Sequence, residues 1–74
     1  MKKLNWVSNE KETGTFIQIR NTDDKHYFIT KGKNELKYTL TIIEDNIKKY
    51  FNTIEESKKY AEINYNNWYY LTQN

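Results

Sequence analysis

The chain has one strong helix start, in the run Phe51-Asn52-Thr53-Ile54-Glu55-Glu56-Ser57-Lys58-Lys59-Tyr60-Ala61-Glu62, and nearly everything before it alternates as strands do. Thr53 and Glu56 have the spacing of a capping box. In that device the hydroxyl accepts from a free amide of the first turn and the carboxylate reaches back to another. Such a cap contributes roughly 1 kcal/mol. At about 100° per residue, Ile54, Ser57, Ala61, Asn64, Tyr65, Trp68 and Leu71 fall within one broad arc. This predicts a helix over residues 54–70 with that arc against a sheet. Ala61 permits close approach, and Tyr65 and Trp68 fill the space beyond it. Ile63 and Tyr70 lie on the opposite side, without an assigned place in the core.

Ahead of the helix, residues 4–8 form a short strand or an irregular arm, anchored by Trp6. Residues 15–20 alternate, with Ile17 and Ile19 on one face and Phe16, Gln18 and Arg20 on the other. Residues 26–30 are apolar on both faces, Tyr27 with Ile29 and Phe28 with Thr30, as suits a central strand. Residues 36–43 set Leu36, Tyr38, Leu40 and Ile42 against Lys37, Thr39 and Thr41, and a slip of one residue would bury a lysine. Residues 47–51 could lead into the helix but read better as a short fifth strand. Between these runs lie polar turns, with Gly14 able to take the positive φ of a hairpin bulge and Asp23 and Asp24 able to bond their own backbone. The fold class is therefore α+β: an antiparallel meander of four or five strands, packed on one face by a single C-terminal helix.

At 74 residues the chain is one domain, of a size that buries only about 60% of its unfolded surface. The absence of cysteine rules out disulfides and thiolate metal sites. With no apolar run of membrane length and no secretory start after Met1-Lys2-Lys3, the expected location is the cytoplasm, with no membrane partner. A net charge of +2 on a chain in which 30% of residues are charged describes a solvated surface more than a nucleic-acid footprint. Aromatic residues make up 16%, seven of them Tyr. Such side chains add burial to a thin core and also anchor protein interfaces.

Catalytic chemistry has little to build on. His26 is the lone histidine, and no spacing joins it to a nucleophile and an orienting group. Asp23, Asp24, Glu44 and Asp45 belong to turns at the same end of the sheet and could attract a hard cation, but they lack calcium-loop spacing and read better as turn residues. Gly14 and Gly32 stand apart, so there is no phosphate loop. No enzyme, cofactor or metal is expected. Nucleic-acid binding is the second reading: Lys31, Lys33 and Lys37 lie near one hairpin with Phe28 and Tyr38, but Glu35 sits among them and Tyr38 is assigned to the core face. The first reading is a protein-binding surface made of Ile63, Tyr69 and Tyr70, together with the charged turns at Asp23, Asp24, Glu44 and Asp45. The helix-free sheet face, with Phe16, Phe28 and Ile43 among Thr39 and Thr41, is a further candidate. A free edge strand could pair with a partner or with a second copy in a homodimer.

The layout, with Trp6, Gly14 before the strand at Phe16, the Tyr27-Phe28-Ile29 strand and then the pattern F-x-T-x-E-E-A/S-K-x-x-A at residues 51–61, resembles small proteins encoded by bacteriophages and mobile elements. Ser57 stands where Ala is commoner. The likeness covers nearly the whole chain in layout and is specific only in that phrase. It implies a protein that binds a bacterial host protein or defence complex stoichiometrically in the host cytoplasm, as anti-CRISPR and other anti-defence inhibitors do.

Overall fold

A computed structural model describes residues 2–8 and 16–72. Its elements are β1 (Trp6–Ser8), β2 (Phe16–Asn21), β3 (Tyr27–Gly32), β4 (Tyr38–Ile42), β5 (Ile47–Phe51) and α1 (Ile54–Thr72). The strands lie side by side in chain order, each antiparallel to the next, so the meander has five strands. The helix covers one face. The expected turn at Gly14, like residue 15, lies outside the described residues.

Cross-strand register explains which side chains meet the helix. Ile19, Ile29 and Leu40 form one row, and Trp6, Asn21, Tyr27 and Ile42 belong to the next on the same face. Leu4, Ile19, Tyr27, Ile29, Leu40, Ile42, Ala61 and Tyr65 are buried together, with Trp6, Ile17, Tyr38, Phe51, Ile54, Trp68 and Tyr69 packed around them. Ala61 at the contact lets the helix approach, and Tyr27 and Tyr65 fill the space toward one end. The Tyr27 hydroxyl donates to the Asn64 side chain at 2.7 Å and ties sheet to helix. β3 is indeed the central strand. Its helix-side residues Tyr27 and Ile29 are fully buried, and Phe28 and Thr30 on the other face are half-buried.

The Glu56 amide donates to the Thr53 hydroxyl at 3.1 Å, as a cap requires. The second half of the expected box is altered: the Glu56 carboxylate accepts from the Thr53 hydroxyl at 3.1 Å in place of the backbone amide. Ser57 is fully buried, and its hydroxyl donates to the Thr53 carbonyl at 3.1 Å, so its polar atom is satisfied inside the seam.

Two apolar residues depart from expectation. Leu36 is 92% exposed because the chain leaves the sheet between Gly32 and Tyr38. The Glu35 amide donates to the Gly32 carbonyl at 3.2 Å, and the Gly32 amide to the Glu35 carboxylate at 2.8 Å, closing a turn that strands Leu36 outside. A side chain at Gly32 would meet that carboxylate at 2.7 Å. Leu71 is 75% exposed for a different reason. The helix has 19 residues and β4 has 5, or about 28 Å against about 17 Å. The last helical turns therefore outrun the sheet.

Candidate interaction surfaces

The turns at residues 22–26 and 43–46 do meet at one end of the sheet, and their carboxylates, though Asp24, Glu44 and Asp45 are exposed, are engaged by other groups of the chain. Asp23 accepts from the Asn5 amide at 2.8 Å, from the Asn5 side chain at 3.1 Å and from Asn21 at 3.4 Å. Asp24 accepts from the Tyr65 hydroxyl at 2.8 Å. Asp45 pairs with Lys25 at 2.9 Å, and Glu44 accepts from the His26 amide at 2.9 Å and from its ring. These four side chains fasten the turns and the N-terminal arm to the sheet and helix. Among the described residues, no three His, Cys, Asp or Glu side chains converge as a metal site.

The protonation of this end follows from the same contacts. Burial, the Asp24 hydrogen bond and the nearby Asp23 charge push the Tyr65 hydroxyl up to about 12. Burial, with the charges of Asp45 and Glu44, pushes Tyr27 far above the ordinary tyrosine value. At Glu44 partial burial opposes the charge, but the bonds from the His26 amide and ring outweigh it and hold the carboxyl below its usual range.

Several anchors of this end carry no periodic signal in the sequence. Lys25 is only 4% exposed, with its ammonium on Asp45 and 5.6 Å from the centre of the Trp68 ring. Buried Asn21 donates to the Lys25 carbonyl at 2.8 Å and accepts from the Tyr27 amide at 2.7 Å. Asn66 accepts from the Lys2 amide at 2.8 Å and donates to the carbonyls of Lys2 and Glu62, each at 2.7 Å. Glu62 takes the Leu4 amide at 3.1 Å. Asn66 lies about 120° from Ile54 on the helical wheel, outside the sheet-facing arc. It is buried because the arm covers it, which periodicity does not show. Trp6 packs against the core as expected, and its indole N–H is enclosed with no acceptor among the described residues.

The helix residues singled out from the sequence separate in space. Tyr69 is half-buried against the core, between the rings of Tyr65 at 5.9 Å and Tyr70 at 5.4 Å, with the Lys2 ammonium 4.4 Å from its ring centre. Ile63 and Tyr70 are exposed but border different hollows. Ile63 lines one with Phe51, Glu56, Lys59 and Tyr60, and Tyr70 another with Asn66, Asn67 and Leu71.

Among the described residues, no element covers the opposite face of the sheet. Register places Val7, Arg20, Phe28, Thr41 and Lys48 in one row, Gln18, Thr30, Thr39 and Tyr50 in the next, and Phe16 with Gly32 beyond. Val7, Phe16 and Tyr50 are exposed and Phe28 half-buried. Arg20 and Lys48 are the charges among these strand residues, and no carboxylate stands with them. Ile43 belongs to the turn and not to this face. Tyr38 is on the helix side, under the Lys31 ammonium at 5.7 Å, and so is unavailable for stacking on the open face.

Compared with models of known families, with curated proteins and with solved structures, the chain matches none significantly. The class it defines is structural: an α+β domain in which a five-stranded antiparallel meander carries a single helix on one face. No helix among the described residues is long and apolar enough to cross a membrane.

Proposed function

We propose that this domain is a non-catalytic protein-binding module, encoded by a phage or mobile element, that inhibits a bacterial defence system or host enzyme by occupying its surface in the host cytoplasm. The observation that supports this reading is the helix-free sheet face, where Val7, Phe16 and Tyr50 are exposed beside half-buried Phe28. These side chains are spread over four strands, from Val7 on β1 to Tyr50 on β5, with hydroxyls between them, so a partner would contact apolar and polar groups together across a broad sheet surface. The acidic turns contribute rigidity through their internal bonds; exposed Ile63 belongs with Phe51 and Tyr60 beside β5, and exposed Tyr70 lies on a separate part of the helix.

A specific observation favours a second reading. Arg20 and Lys48 share the face with Phe28 and Tyr50, with no carboxylate among the described strand residues there, an arrangement that can also hold single-stranded nucleic acid. Titration with a bacterial protein recovered by the domain, and separately with oligothymidylate, at rising salt decides between them. Protein binding should persist at high salt and weaken in Val7→Ser/Phe16→Ser. Oligonucleotide binding that falls steeply with salt, with no protein partner, would replace the first reading by the second.

A further inference from the structure

β1 and β5 are the two edge strands of the sheet, and β5 is the longer. The Ile43 amide donates to the His26 carbonyl at 3.1 Å, so by alternation residues 39 and 41 turn their amides and carbonyls toward β3 and residues 38, 40 and 42 turn theirs toward β5. Ile47, Lys49 and Phe51, opposite Ile42, Leu40 and Tyr38, therefore bond to β4. The amides and carbonyls of Lys48 and Tyr50 point outward from the sheet. They form a two-residue docking row on a strand whose residues are exposed except at Phe51.

Side chains on both sides of this row define what would fit. On the helix side a groove of about 250 Å³ runs beside the edge, lined by Phe51, Tyr60, Ile63, Lys59 and Glu56. The Phe51 and Tyr60 rings form one wall, 5.4 Å apart. The Glu56 carboxylate is already engaged by the Thr53 hydroxyl, whereas Lys49 and Lys59 make no ion pair among the described residues. On the open face Lys48 is followed by Tyr50, which is 63% exposed.

The geometry points to strand addition at β5 by an acidic, extended segment of the partner protein. Its backbone pairs with Lys48 and Tyr50, its carboxylates stand opposite Lys48 and Lys49, and an apolar side chain enters the Phe51–Tyr60–Ile63 groove. Charge is what chooses this occupant. A second copy pairing antiparallel about either lysine would set Lys48 against Lys48 or Lys49 against Lys49, and like charges directly opposite are unfavourable; pairing about Tyr50 would set Lys49 against Phe51 and leave both cations without a carboxylate, which an acidic segment supplies. The inference rests on the protein-binding reading and specifies the partner's chemistry.

The test uses displayed random dodecapeptides selected on the intact domain, then synthetic peptides from the enriched set. Enrichment should favour two consecutive acidic residues, opposite Lys48 and Lys49, with a large apolar residue two positions from the acid opposite Lys49, and Lys48→Glu/Lys49→Glu should shift the acidic pair to Lys and Arg. Amide exchange at Lys48 and Tyr50 should slow on binding while Lys49 and Phe51, already in the β4 ladder, change little. Tyr50→Pro removes an outward amide without touching the β4 ladder, and should weaken peptide binding about tenfold. Peptides methylated at alternate backbone nitrogens give the same readout on the unaltered domain. Enrichment indifferent to the charge reversal, unchanged exchange at Lys48 and Tyr50, or a lysine-edge dimer in sedimentation overturns the inference. If a bacterial protein still binds and is lost in Val7→Ser/Phe16→Ser but not in the charge reversal, strand addition falls and the protein-binding reading stands. If only oligothymidylate binds, both fall.

Discussion

Single residues at the acidic end determine how the domain responds to pH. Tyr27 and Tyr65 have hydroxyl pKa values raised in the folded state. Their contribution is complete below the unfolded tyrosine value of about 10 and is lost as pH rises through the folded values. Alkaline titration by tyrosinate absorbance should therefore show part of the amplitude appearing together with unfolding. Tyr65→Phe should reduce that part and lower stability by about 1 kcal/mol, read by urea unfolding at neutral pH. Glu44 works in the opposite direction. Its folded pKa is depressed, so its contribution is present above the unfolded carboxyl value and lost as pH falls through the folded one. Glu44→Gln should flatten the acid limb of the stability curve while leaving the alkaline limb in place. Asp45→Asn leaves the Lys25 ammonium buried with a weaker acceptor. Because the Asp45 side chain is 37% exposed, the loss should be about 1–2 kcal/mol, below that of a fully enclosed pair. An unchanged urea midpoint in that variant would show that solvent replaces the pair.

Among elements, those with strong periodicity were readable from the sequence and those held by polar contacts were not. The Thr53 cap and the Ala61 seam located α1, and the alternation at Tyr38, Leu40 and Ile42 located β4. Both patterns overshot, to Leu36 and Leu71, since periodicity says which face a residue takes and not where the opposing layer ends. β5 alternates weakly because it is an edge strand with two lysines, and its status as a strand emerges only from its register with β4. The arm at residues 2–5 has no pattern; it is held by Asn66, Glu62 and Asp23, three hydrogen-bonding side chains without apolar spacing. Thr53→Ala should cost roughly 1 kcal/mol in urea unfolding. Asn66→Ala, which strands the amide and carbonyl of Lys2, should cost about as much and also raise exchange at Lys2 and Leu4. Intact protection of those amides would mean that Trp6 alone holds the arm.

At the scale of the whole molecule, one helix cannot cover both faces of a sheet. The side that it leaves bare carries exposed Val7, Phe16 and Tyr50 with two cations and ends at β5, whose outer edge pairs with no strand among the described residues. The candidate surface was partly readable in the sequence. Alternation set Phe16 and Phe28 apart from the core. The Ile63–Tyr70 strip and the acidic turns looked equally available until the contacts of Tyr69, Asp23, Asp24, Glu44 and Asp45 were known. The capping phrase at residues 51–62 proves to be a folding device, and its closest bearing on binding is the groove that Phe51 and Tyr60 form beside β5. The central claim is that the bare sheet face and β5 edge bind a protein. It is tested most directly by mapping backbone amide shifts of the labelled domain on addition of the bacterial protein that it recovers. The account predicts that the largest changes fall on Val7, Phe16, Phe28, Lys48 and Tyr50, with Tyr60 and Ile63 of the β5 groove following and α1 residues 64–72 unmoved. Changes confined to Tyr70 and the hollow that it lines with Asn66, Asn67 and Leu71 would contradict it.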